Sequence, residues 1–225
     1  MLIVLIVLVF AMNASAQPLP KVDLLYPEPA GTVFDISCPE FTKTDIDPGA
    51  MRETVRRRAE FQGQWDKDGP AYLKIVFAEV GLKFPYGEMQ GALTVCPLGG
   101  SLSTPLLISV VPYLLGSANP RPMWMFSETV FHELMHTYVR PVHAVSQLRK
   151  KYAAEALVAQ NHLHVMALEK LALVKLGRSE DLKYLDSRNR TSSPPAYKRA
   201  WEIVNDIEGY EAFVNELRAL SSKTR

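Results

Sequence analysis

The sequence predicts an α+β domain, mainly helical, with a small sheet in its N-terminal half. Three observations predict this. A chain of 225 residues that is 48% apolar is long enough to bury one full core without covalent staples. Runs of β-branched and apolar residues bounded by Gly and Pro lie between residues 92 and 111. From Met123 onward the apolar residues recur at helical spacing.

The elements follow in chain order. Residues 1–16, MLIVLIVLVFAMNASA, hold 14 apolar residues and no charged side chain, and end in a small-residue A-x-A stretch. This is the layout of a secretory signal peptide, with cleavage expected before Gln17, and the run is too short to span a bilayer. Gln17–Ala50 carries prolines at 18, 20, 27, 29, 39 and 48. It reads as an extended arm with strand-like pieces at Val22–Tyr26 and Thr32–Ile36, the alternative being a removable pro-segment. Met51–Asp66 favours helix, and Ala71–Val80 resumes it after a Gly69-Pro70 break. Ala92–Cys96 and Leu106–Val111 read as strands, the latter as an edge strand able to align an extended peptide. A helix over Phe126–Val139 stops before Pro141. A long helix is expected over Gln147–Leu176, with Ser146 as N-cap and Gly177 just past its end. Helices near Pro195–Asp206 and Tyr210–Leu220 complete the chain. The domain organisation is thus a signal peptide, an arm over 17–50 and a catalytic domain over 51–225.

Charge and cysteine content exclude several functions. With 25 Lys+Arg against 24 Asp+Glu the net charge is +1, which gives no field for nucleic acid or anionic lipid. Two cysteines rule out a disulfide-built scaffold and a cysteine-rich zinc ribbon. In the oxidising compartment of an exported protein, periplasmic or extracellular, Cys38 and Cys96 are expected to form a disulfide. No stable membrane anchor is expected once the signal is removed.

The histidines carry the functional signal. All five fall within 33 residues, at 132, 136, 143, 162 and 164, and His132-Glu133-Leu134-Met135-His136 forms an H-E-x-x-H on the helix over 126–139. Positions i and i+4 share one helix face, so both imidazoles can reach a single metal ion. Glu133 stands about 100° round the helix, placed to take a proton from metal-bound water. On the helical wheel Val130, Phe131, Leu134, Met135 and Tyr138 fill one arc, and Glu128, Thr129, His132, Glu133 and His136 the opposite one.

On this motif and its helix the chain resembles the zincin metallopeptidases. The resemblance implies Zn2+ as cofactor, His132 and His136 as ligands, Glu133 as general base and a peptide or protein as substrate. In the gluzincin branch the third ligand is a Glu about twenty residues further on. Glu155 lies nineteen after His136 and is the only charge in Ala153–His162. His143 is the metzincin-like alternative, six residues intervening where that branch has one fewer. His162, two turns beyond Glu155, is a candidate for orienting a ligand or stabilising an oxyanion. His164 reads as core, and Glu128, a turn before His132, as support for the metal histidines. Tyr138 and Tyr152 are near by sequence alone. The expected function is an exported zinc metallopeptidase; the alternative is a non-catalytic zinc-binding exported interaction protein, a degenerate zincin.

Overall fold

A computed structural model of the chain describes residues 17–26, 30–97 and 100–223, and the expected signal peptide lies outside them. The architecture is α+β and mainly helical, with a four-stranded mixed sheet in the N-terminal half. The strands are β1 (Lys21–Leu25), β2 (Glu88–Thr94), β3 (Leu102–Ser103) and β4 (Leu106–Ser109). Their spatial order is β1-β2-β4-β3, with β1, β2 and β4 parallel and β3 antiparallel to β4. The helices are α1 (Ala30–Thr42), α2 (Pro48–Val80), α3 (Trp124–Val139), α4 (Gln147–Lys151), α5 (Leu157–Lys175), α6 (Ser179–Thr191), α7 (Pro195–Glu202) and α8 (Tyr210–Lys223). No helix among the described residues is long and apolar enough to cross a membrane.

Several elements differ from the sequence-based expectation, each for a local reason. The proline-rich stretch is no separate arm: β1 pairs with β2 inside the sheet, and residues 30–42 form a helix where a strand was expected. Asp35 on that helix is buried and accepts hydrogen bonds from Tyr26 Oη (2.6 Å) and Thr94 Oγ1 (2.5 Å). Those tertiary bonds, with the Cys38–Cys96 disulfide, outweigh the strand propensity of Thr32-Val33-Phe34. The Gly69-Pro70 pair does not break α2. Trp65 lies over Gly69, where a Cβ would sit 2.5 Å from the indole ring, so the glycine serves close packing inside a continuous helix. The helix ends instead at Gly81, whose φ of 76° closes it with a backbone bond to Phe77 O.

β4 is flanked by β2 and β3, so it is not the open edge strand expected of Leu106–Val111. The expected helix over 147–176 is two helices, α4 and α5, although Ser146 caps α4 as expected, its Oγ accepting from Arg149 N–H at 2.9 Å. Gln160 Nε2 donates to the carbonyls of Ala153 and Glu155, holding the turn between them. α6 was not anticipated; it buries only Leu185 and Asn189, so it carries little apolar periodicity.

The core forms around α3. Aromatic pairs Phe61–Phe126, Tyr72–Phe131 and Phe77–Tyr138, with centroids 4.8, 5.2 and 5.1 Å apart, pack α2 against α3. They dominate the interface because each buries a large apolar area. α5 covers the other flank of α3, and α7 and α8 pack on α5. Both faces of α3 are therefore buried, including the one carrying Glu128, His132 and Glu133. An isolated amphipathic surface helix would leave that polar arc in water.

Candidate metal centre

α3 and α5 bring three histidines together. His132 and His136 stand one turn apart on α3, with Nε2 atoms 3.1 Å apart. His162 on α5 lies against both, its ring centroid 5.1 Å from His132 and 4.7 Å from His136. One ligand atom from each falls within 4.8 Å of the others.

The hydrogen bonds orient the rings. His162 Nδ1 donates to Val158 O at 2.6 Å, which leaves its Nε2 as the lone-pair nitrogen. That Nε2 is buried and has no hydrogen-bond partner. His132 Nδ1 meets Glu169 Oε1 at 2.5 Å, a contact in which the ring nitrogen donates and Nε2 turns to the other histidines. Burial, reinforced by the neighbouring imidazoles, drops the pKa of His136 to about 2 and that of His162 to about 3. Both rings are therefore neutral at physiological pH, the form that binds a metal ion. A buried, partnerless Nε2 aimed at two further ring nitrogens is costly without an occupant. These buried groups could hold a metal ion.

A buried carboxyl chain supports the cluster. Glu169 is on α5, seven residues after His162 and so on the same helix face. It also hydrogen-bonds with Glu128, four residues before His132. Burial first, then the adjacent Glu169, pushes Glu128 well above the usual carboxylate range. Glu128 keeps the proton and donates it to Glu169, which accepts from His132 on its other side. Glu128, expected from sequence to support His132 and His136, is joined to His132 through Glu169. Glu128, His132 and Glu169 also converge closely enough to count as a second group of metal-ligand type. In that group His132 Nδ1 and Glu169 Oε1 already share a hydrogen bond.

Glu133 points elsewhere. It is 6% exposed, makes no hydrogen bond among the described residues and lines a cleft of about 750 Å3 together with His132 and Glu169. Burial raises its pKa, so it holds a proton more tightly than an exposed carboxylate. Tyr197 of α7 lines the same cleft, its ring 4.0 Å from that of His162 and stacked at 6.3 Å on His132.

Other sequence candidates lie elsewhere. Glu155 belongs to neither convergent group; it sits in the turn between α4 and α5, and its carboxylate pairs with Arg199 at 2.7 Å. The break in the expected helix removes the two-turn alignment between Glu155 and His162. His143 follows the 3₁₀ turn Arg140–Val142 and is likewise outside both groups. His164 is fully buried, with Nε2 on Glu216 at 2.8 Å and its ring edge-on to Phe213, a packing residue as expected. Tyr138 and Tyr152 donate to Leu82 O and to Glu208. Cys38 and Cys96 form the expected disulfide, with a Cα–Cα distance of 5.8 Å. Sequence reasoning missed Glu169 and Tyr197. The seven-residue spacing from His162 points to Glu169; nothing local to Tyr197 distinguishes it from any helical tyrosine.

The chain matches no protein-family model, and no curated protein or solved structure is significantly similar to it. The site geometry therefore stands alone as the basis for function.

Proposed function

We propose that this protein is an exported zinc metallopeptidase in which His132, His136 and His162 hold the ion and Glu133 is the general base. One observation carries the reading: three imidazoles converge, two of them (His136 and His162) kept neutral by burial and one with an orphaned buried nitrogen, beside a buried carboxylate that has no partner and faces a cleft. Nitrogens bound tetrahedrally to zinc at about 2.0–2.1 Å stand about 3.3 Å apart, near the 3.1 Å between His132 and His136. Three protein ligands leave a fourth position, as catalytic rather than structural sites do.

Zinc, when bound, supplies Lewis acidity at the scissile carbonyl and lowers the pKa of water toward neutrality. The chain's own residues do the rest. Glu133 accepts a proton from the attacking water and hands it to the departing amine nitrogen. Its desolvated carboxylate suits that task, because a raised pKa makes it the better proton acceptor. Tyr197 donates its hydroxyl hydrogen to the carbonyl oxygen as charge develops there. Glu169 holds His132 in the tautomer that presents Nε2. Export is supported by the Cys38–Cys96 disulfide, a bond that persists in oxidising compartments.

The test is zinc stoichiometry paired with peptidase activity. His132→Ala and His162→Ala should lose the metal. Glu133→Gln should retain it and lose activity by about 10²–10⁴-fold. If Glu133→Gln binds zinc and cleaves a peptide like the wild type, the base is another group. If Glu155→Ala loses zinc while His162→Ala keeps it, the third ligand is the carboxylate.

A further inference from the structure

The cleft beside Glu133 contains two arginines whose guanidinium groups make no hydrogen bond among the described residues. Arg188 on α6 has a side chain 24% exposed, and its nearest carboxylate is Glu128 at 3.9 Å, beyond hydrogen-bond reach. Arg121, in the segment before α3, is half-buried, and only its backbone N–H is engaged, on Pro112 O. Each of the other half-buried arginines has a side-chain partner: Arg57 on Glu53 and Glu60, Arg178 on Asp181, Arg199 on Glu155 and Glu202, and Arg149 on Asn161 through Nη2, its buried Nε remaining unpaired. Among the described residues, Arg121 and Arg188 are the half-buried arginines whose guanidinium groups make no hydrogen bond at all, and both line the cleft.

The acids near them do not fill that role. Glu169 bonds to His132 and to Glu128, and Glu128 to Glu169. Guanidinium presents a planar fork of N–H donors that matches a carboxylate in size and charge. We propose that Arg121 and Arg188 form a carboxylate-binding subsite, so that the substrate is a peptide bearing a carboxylate close to the bond that is cut. The proposal rests on the peptidase reading of the same cleft. The carboxylate has two sources, a free C-terminus or an Asp or Glu side chain.

Binding tests it apart from turnover. Zinc-loaded Glu133→Gln protein is titrated calorimetrically with three probes: an acetylated hexa-alanine free acid, its C-terminal amide, and an amide carrying one Glu. The free acid or the Glu peptide should bind at least tenfold tighter than the plain amide, and the tighter of the two identifies the source. Adding Arg121→Gln or Arg188→Gln should abolish that preference, whereas Arg52→Gln on the exposed surface should not. Thermal melting shows that each variant folds, and if Arg188→Gln does not, Arg121→Gln alone carries the test. Equal binding of the three probes, no binding of any, or a preference that survives both substitutions overturns the subsite. Wild-type cleavage distinguishes the two ideas. Carboxylate-dependent binding without cleavage removes the peptidase reading and supports the subsite; cleavage of all three probes at one rate does the reverse.

Discussion

Glu169 is where a single residue governs most of the site. Its carboxylate is 2% exposed and takes hydrogen bonds from His132 Nδ1 and from Glu128, so it sets both the tautomer and the aim of the ring proposed as a ligand. Glu169→Ala leaves that Nδ1–H buried without an acceptor and lets the ring rotate. Zinc affinity should then fall by about 10–100-fold, measured by competition with a chelating dye. Glu169→Gln keeps a carbonyl acceptor in the same place and should lose less. Equal loss in both variants would mean that charge, not orientation, is what Glu169 supplies. The residue also shows how far the site can be read from sequence. His132, Glu133 and His136 share one turn of one helix, so their spacing alone makes them a unit. His162 and Glu169 share a second face two turns apart, but which face meets α3 is decided by packing between α3 and α5, whose His136 and His162 are 26 residues apart along the chain. Glu155 had the more favourable spacing and a more apolar setting, and it sits in a turn bound to Arg199.

At the scale of elements, the break between α4 and α5 positions the second half of the site, and Glu216 of α8 anchors it. The Glu216 carboxylate accepts from Gln147 N–H (2.6 Å), Leu148 N–H (3.0 Å), Ser146 Oγ (2.7 Å) and His164 Nε2 (2.8 Å). It thus closes the N-terminus of α4 and ties it to α5. Burial alone would raise its pKa, but these bonds, led by that from His164, bring it down to about 2 from an ordinary value of 4.5. A depressed carboxyl pKa stabilises the fold fully above the unfolded value and loses that contribution as pH falls from 4.5 through about 2. Glu216→Gln should therefore cost about 2 kcal/mol at pH 7, and the gap to wild type should shrink steadily between pH 5 and pH 2. Urea unfolding of the two chains across that range checks it; a gap independent of pH would place the stabilisation in packing. The sequence made α3 legible because its apolar arc and its motif coincide. It left α6 illegible because that helix is polar on nearly every face, and it hid the α4–α5 break because no Gly or Pro marks residues 152–156.

The whole molecule divides into a scaffold that carries the site and a covalently tied flank. The site depends on α3 and α5, cemented by the aromatic contacts to α2 and by α7 and α8. The sheet side is completed by β1 and α1, the latter held to β2 by Asp35 and by the Cys38–Cys96 bond. That bond closes a loop of 58 residues, which in the chain-entropy account is worth about 4 kcal/mol against the unfolded state. The bridge touches neither the histidines nor the carboxyl chain behind them. Replacing both cysteines with serine should therefore lower stability by about 4 kcal/mol in denaturant unfolding while zinc stoichiometry stays at that of wild type. The single variants should match the double one, since each removes the same link. Loss of zinc on breaking the bridge, in a protein that still melts cooperatively, would mean that the flank shapes the proposed metal site and that α1 and β1 belong to the unit that forms it. Retention of zinc with the expected loss of stability assigns them to the scaffold. In that case the disulfide's role is to hold α1 against the small sheet, and the histidine cluster is set by α3 and α5 alone.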